Sequence, residues 1–250
     1  MTQPQYPMWA QGLAGKQAVV TGGSKGLGRA ICVALSQAGA IVTAVARDAV
    51  GLAALAADHP AIGTWQADVN DPAFGAALVE RSVDIFVNNA GINHPMPMID
   101  VPIEVLDEML NLNVRAAYLA AQGAARAMIS SGNGGVIINM TSQMGHVGSP
   151  NRSVYCMTKH ALEGLTKAMA VELAPHNIRV NSVAPTFIET PMTKPMLDKP
   201  DFRAFVDRMI PLGRLGQPDD VAAAVLYLVS PAANMVTGTS LLIDGGWTAQ

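Results

Sequence analysis

Charge is scarce in this sequence: Asp, Glu, Lys and Arg make up 14% of its 250 residues, and the formal net charge is −3. There is no basic block, which excludes the electrostatic footprint of a nucleic-acid or anionic-membrane binder. Long hydrophobic runs are missing too. No apolar stretch reaches the roughly 18–20 residues that span a bilayer. Residues 1–10 carry neither a basic residue nor the apolar core of a secretory leader. Cysteine occurs only as Cys32 and Cys156, with no C-x-x-C pair. That excludes a disulfide framework, argues against a structural zinc or other metal site, and fits a reducing cytoplasm.

What is present is apolar: 50% of the residues are hydrophobic, a composition for a large buried core rather than for disorder. Short apolar runs alternate with longer helical patterns. Strands are expected at 17–21, 41–46, 63–67, 84–88, 136–141, 178–184 and 240–243, and helices at 26–38, 50–57, 103–130, 153–173 and 219–229. The strands are apolar throughout rather than alternating, as in a parallel sheet covered on both faces. This predicts an α/β fold, a single doubly wound Rossmann-type domain over 1–250 with helices on both faces of a parallel sheet. Residues 1–12 read as a loose N-terminal arm. The proline-rich stretch 185–218 reads as a substrate-side insertion, since no linker or repeat divides the chain.

The segment Thr21-Gly22-Gly23-Ser24-Lys25-Gly26-Leu27-Gly28 leaves the first strand and opens the first helix. Glycines there allow a tight turn and close approach to a pyrophosphate, and the helix N-terminus presents free N–H groups and a positive dipole end. The spacing is G-x-x-x-G-x-G rather than G-x-G-x-x-G, but its place between first strand and first helix favours a dinucleotide. Asn88-Asn89-Ala90-Gly91 ends the fourth strand, Ser142 follows the fifth, and Tyr155 and Lys159 lie four apart on one helix face. A free phenol has a pKa near 10. A neighbouring ammonium favours the phenolate, so the pair suits proton exchange with a substrate oxygen. Ser142, at the carboxyl edge of the sheet, is placed to hold that oxygen.

These motifs, in this order, resemble the short-chain dehydrogenase/reductase family over residues 15–247. The resemblance implies Asn113, Ser142, Tyr155 and Lys159 as the catalytic group, with Asn113 holding a water beside the lysine. It implies cofactor contacts from Gly22, Ser24, Lys25, Gly26, Leu27 and Gly28, from Asp68 and Val69 at the adenine, and from Asn89, Ala90 and Gly91 under the adenine-side ribose. Tyr155 and Lys159 also face the cofactor. Pro185-Thr186-Phe187-Ile188-Glu189-Thr190 matches the family's P-G-x-x-x-T, so Ile188 and Thr190 would meet the carboxamide, although Thr186 replaces the usual glycine.

Cofactor choice turns on the end of the second strand. An acid there binds a ribose 2′-OH, whereas a small residue with a cation accommodates a 2′-phosphate. The family's acid position is Ala46, followed by Arg47, with Lys25 in the glycine turn. NADP(H) is favoured, with NAD(H) the alternative if Asp48 binds the ribose. Candidate pocket residues are mixed polar rather than greasy: Asn93, His94, Ser142, Gln143, Met144, His146, Arg152, Tyr155, Phe187 and Met192. They suggest a small sugar, polyol or sugar acid, interconverted between secondary alcohol and ketone, and Arg152 suits a carboxylate. The alternatives are a 3-ketoacyl-thioester reductase, which needs a basic docking patch from Arg203, Arg208 and Arg214, and a dinucleotide-binding regulator without chemistry. Helices 103–130 and 153–173 are apolar on more than one face. With the resemblance, that implies a homotetramer, its tail 247–250 reaching a neighbouring subunit.

Overall fold

In the computed structural model, residues 12–250 are described. The expected arm lies outside them, apart from Gly12. The elements in order are β1 (Gln17–Thr21), α1 (Gly26–Gln37), β2 (Ile41–Ala46), α2 (Ala49–Asp58), β3 (Gly63–Gln66), α3 (Pro72–Val79), β4 (Ile85–Asn88), α4 (Ile103–Leu110), α5 (Ala117–Ser131), β5 (Gly135–Met140), α6 (Ser153–Leu173), β6 (Ile178–Pro185), α7 (Lys194–Leu197), α8 (Pro200–Met209), α9 (Pro218–Val229) and β7 (Ser240–Ile243). One seven-stranded sheet runs in the order β3-β2-β1-β4-β5-β6-β7, and every pairing is parallel. The order reverses between β1 and β4, so both strands point their carboxyl ends at the crevice where such sheets bind ligands.

Each face of the sheet has its own core. Ile31 and Leu35 of α1, Leu52 and Leu55 of α2 and Val221 and Val225 of α9 pack against β1, β2 and β5 on one face. On the other, Phe74 and Leu78 of α3 and Ala120, Ala124 and Met128 of α5 cover Val19, Phe86 and Ile137. The central strands β1, β4, β5 and β6 are buried, as their apolar runs require. The edge strand β3 is largely exposed. The expectation of strands covered on both faces therefore fails at that edge, where no further strand pairs with β3 among the described residues.

Three local departures from expectation have physical causes. The expected helix 103–130 is broken by a π turn at Asn111–Ala116, a wide turn that apolar periodicity does not reveal. The sequence reading missed α3, whose eight residues are too uniformly apolar to show a face. Its start was legible, because Asp71 accepts from Ala73 N at 2.9 Å and Pro72 takes the first turn. The stretch 185–218 contains two helices, α7 and α8. They form a third cluster from Met144, Phe187, Leu197, Val206, Ile210 and Leu215 over the carboxyl edge, with Tyr155, Phe202 and Trp247 against it.

Candidate active site

The glycine turn is built to admit a ligand backbone-first. Gly22 has φ +66, and a Cβ on Gly28 would stand 2.2 Å from Gly22 O and 2.6 Å from Asn89 Nδ2. No side chain larger than hydrogen fits where α1 begins. Lys25 supplies no side-chain cap, and the first turn of α1 holds no acid, so the N–H groups and dipole of that terminus are left for an anion. Ser24 is buried, and Leu27 packs its side chain against the core. The Asn-Asn-Ala-Gly segment braces this turn. Asn89 Nδ2 donates to Thr21 O at 2.8 Å, and the Thr21 hydroxyl accepts from Asn89 N at 3.0 Å and Ala90 N at 3.1 Å. Asn88 donates to Ala117 O at 2.8 Å and Asn139 Oδ1 at 3.2 Å. The Cβ position of Gly91 is 3.2 Å from Asn113 Oδ1 and 3.7 Å from Lys159 Nζ.

At the end of β2, Asp48 caps α2 by accepting from Gly51 N at 2.9 Å. Arg47 projects outward, 66% exposed, with Nη1 3.6 Å from Asp68 Oδ2. Its partner is thus Asp68, which also accepts from Asn70 N. Val69 packs against the core. Ile188 lies buried beside Gly216, and its carbonyl accepts from the Thr193 hydroxyl. Thr190 faces the start of α1, with its Cβ 3.7 Å from the Cβ position of Gly26.

The other half of the site lies at the ends of β5 and β6. Ser142 follows β5, and its hydroxyl caps the next turn at Met144 N and lies 3.4 Å from Pro185 O. Tyr155, one helical turn before Lys159, shares a hydrogen bond with Ser142, and burial pushes its phenol up to about 12 against the pull of Ser142 and Arg152. Lys159 is 5% exposed. Its Nζ donates to Met140 O at 2.8 Å and lies 5.4 Å from the centre of the Tyr155 ring. Burial lowers it to about 8, and Glu163 holds it up. The expected lowering of the phenol by Lys159 is therefore outweighed in the chain alone, since the ammonium is turned to a carbonyl. Asn113, in the π turn, binds Ile92 both ways, accepting from its N at 2.9 Å and donating to its O at 2.8 Å, and reaches Thr158 at 3.3 Å. The side chain thus ties this turn to the segment that follows β4.

Of the pocket candidates, Gln143 Oε1 and Asn93 Oδ1 are buried with no hydrogen-bond partner, as is Thr186 Oγ1; Gln143 and Thr186 directly follow Ser142 and Pro185 in the chain, and Asn93 is two residues after Gly91. Arg152 is buried. The two histidines are engaged elsewhere. His94 Nε2 pairs with Glu108 at 3.1 Å. His146 Nε2 turns away to Ser240 Oγ at 2.9 Å and Glu163 Oε1 at 3.3 Å. Reading histidines as hydroxyl binders overlooked Glu163, an acid set four residues after Lys159 in an apolar helix, which also accepts from Ser182 and Ser240. Trp247 packs on its own chain, 5.7 Å from Phe187 and 5.9 Å from Phe205. Among the described residues, no cluster of three or more His, Cys, Asp or Glu is arranged to hold a metal, and no helix is long and apolar enough to cross a membrane.

A doubly wound sheet, a bare glycine turn at its switch point and a Ser–Tyr–Lys group at the same edge define a dinucleotide-dependent oxidoreductase. The family model described as enoyl-(acyl carrier protein) reductase matches residues 22–248. L-xylulose reductase of Bos taurus is 42% identical over 243 residues, 95% of this chain and 98% of its own. D-erythrulose reductase of Gallus gallus is 40% identical over 240 residues, 93% and 96% of the two chains. A gluconate 5-dehydrogenase from Burkholderia cenocepacia, solved in complex with NADP and tartrate, superposes with a TM-score of 0.92 at 31% identity, covering 96% of this chain and 98% of its own. The chain belongs to the short-chain dehydrogenase/reductase family and is an enzyme.

Proposed function

We propose that the chain is an NADP(H)-dependent oxidoreductase that interconverts a secondary alcohol and a ketone on a small polyhydroxylated substrate, a sugar, polyol or sugar acid. The observation that carries it is one juxtaposition. Ser142, Tyr155 and Lys159 meet at the carboxyl edge, and two buried polar atoms without partners, Gln143 Oε1 and Thr186 Oγ1, belong to residues that directly follow Ser142 and Pro185 in the chain. Unpaired buried acceptors are costly, and hydroxyl groups of a bound sugar would satisfy them. The names of the xylulose and erythrulose reductases support the same substrate class.

The glycine turn and the α1 terminus would hold the pyrophosphate, Arg47 and Lys25 a 2′-phosphate, and Ile188 and Thr190 the carboxamide. NADP(H) supplies the two electrons, as hydride. The chain manages the proton. Ser142 holds the substrate oxygen, and Tyr155, protonated across the neutral range, donates to it in reduction. In oxidation Tyr155 accepts the proton back. Lys159 places a cation beneath the phenol and offers a route for proton replacement through the Asn113 turn. The stretch 185–218 serves as the roof of the substrate side.

A panel of ketoses, polyols and sugar acids with NADPH and NADH, followed at the reduced-nicotinamide absorbance, tests this. Turnover of at least one sugar-class ketone with NADPH is expected; activity confined to ketoacyl thioesters would overturn it. Of the three arginines that the thioester reading would use for docking, two are ion-paired. Arg203 is held by Asp207 at 2.9 Å and Arg214 by Asp220 at 2.7 Å. We also propose a cytoplasmic homotetramer. Support comes from α6, where Met157 and Val171 stand 47% and 80% exposed beside the small exposed residues Ala161, Gly164 and Ala168, a flat face suited to a second copy.

A further inference from the structure

We infer that Arg152 is a carboxylate receptor and that the substrate is an acid sugar, a ketoaldonate or its alcohol, rather than a neutral ketose. The inference rests on the reaction proposed above and narrows its substrate.

Two arginines are drawn inside the described structure, and they are treated differently. Arg179 is satisfied by backbone, donating to Leu228 O at 2.7 Å, Val236 O at 3.2 Å and Ser230 O at 3.4 Å. Arg152 is 5% exposed, yet its guanidinium has one side-chain hydrogen bond, to the weak acceptor Met196 Sδ at 3.3 Å. Its other neighbours are the rings of Phe187 and Phe202, 5.9 and 6.0 Å away. Among the described residues no carboxylate pairs with it. A guanidinium offers five donors and does not shed its proton, and an unpaired buried charge is strongly unfavourable. A site built this way lacks an anion.

The position says which anion. Arg152 is the residue before α6, three before Tyr155, and both border the apolar cluster of Phe187, Leu197 and Val206 under α7 and α8. An anionic group held there belongs to the molecule whose oxygen meets Tyr155. A flat monoanion matches the guanidinium fork bidentately and slides between aromatic faces. A phosphate dianion would call for a second cation, and the nearby candidates Lys194 and Arg203 are already paired with Asp198 and Asp207.

The test compares substrates matched except for carboxylate against hydroxymethyl, in pairs of four to six carbons such as 5-keto-D-gluconate with L-sorbose. The native enzyme should favour the acids. In Arg152→Met the acid-to-neutral ratio of kcat/KM should fall about 10²-fold, the effect of one charged hydrogen-bonded contact; Arg152→Lys, which keeps the charge without the fork, should fall between. Calorimetric titration of D-gluconate into the NADPH-loaded enzyme gives a readout without turnover: binding in the native protein and none in Arg152→Met, with NADPH affinity as the check on folding. A native preference for neutral ketoses, a preference for ketose phosphates, or an unchanged ratio in Arg152→Met would each overturn the inference while leaving the oxidoreductase reading intact. If no sugar-class ketone reacts but gluconate binds through Arg152, the receptor stands and the reaction reading falls.

Discussion

Arg47 offers the sharpest test of how the chain chooses its cofactor. Its guanidinium is 66% exposed, and its only ion-pair partner among the described residues, Asp68, is 42% exposed and 3.6 Å away. Exposed pairs of this kind contribute about 0–1 kcal/mol, so Arg47→Ala should leave thermal stability nearly unchanged. Against a 2′-phosphate the same group makes a charged contact of about 1.5–3 kcal/mol, or about 10–150-fold in affinity. Asp68 competes for the guanidinium, so the lower half of that range is expected, and the loss should shrink as salt rises because the site is open to solvent. NADH lacks the phosphate and should be affected less than threefold or so by this argument. Fluorescence titration of NADPH and NADH into both proteins reads all of this. Equal losses for the two cofactors, or a native protein that binds NADH more tightly, would refute the reasoning. The second result would point to Asp48, whose Oδ1 caps Gly51 N, as the ribose ligand.

Tyr155→Phe should lower turnover by about 10²-fold or more, with cofactor affinity little changed, since a general acid–base contribution is removed and the ring retained; near-native steady-state rates would contradict the assignment. For pH, burial holds Lys159 near 8 and the Glu163 charge raises it. The ammonium is therefore present below about pH 8 and lost above it, and reductive kcat/KM should decline as pH rises through that value. Glu163→Gln removes the supporting negative charge, so the declining limb should move to lower pH; an unmoved limb argues that Lys159 does not govern it. Gly28→Ala places a methyl 2.2 Å from Gly22 O, and overpacking of this kind costs about 1–3 kcal/mol. Both a lower melting temperature and loss of NADPH binding are expected, and retention of native affinity would show that the turn can open. On α6, Ala168 is exposed and Ala170 is 3% exposed in its own core. Ala168→Glu should yield smaller, folded particles in light scattering, whereas Ala170→Glu should unfold; a native-sized assembly from Ala168→Glu would locate the interface elsewhere.

Most of the sheet was readable because its central strands are buried on both faces and so spell uninterrupted apolar runs. Ser142, Tyr155 and Lys159 were readable for a related reason: the first sits two positions past a strand end and the others share one helix face, where spacing fixes position; Asn113 came from the family resemblance alone. What escaped was set by tertiary contact. The π turn around Asn113 leaves the apolar pattern untouched while changing where the side chain goes. His146 looks like a pocket residue by position, yet the Ser240–Glu163 pair 2.9 and 3.3 Å away captures its ring. Neither partner is near it in sequence. Arg152 was visible as a cation near Tyr155, but only its burial without an acid distinguishes it from a surface arginine.

The aromatic contacts of Trp247 have a consequence for how the enzyme is made. Synthesis runs from the N-terminus, and the nucleotide half of the molecule, β1 to β4, can assemble from local βαβ units as it emerges. The substrate roof cannot. Phe187 and Phe205 find their partner Trp247 only after β7 has been made, and Gln250 then bonds Met209 O. A nascent chain thus has its phosphate turn well before it has a closed pocket, and whatever disturbs residues 247–250 disturbs the roof of that pocket.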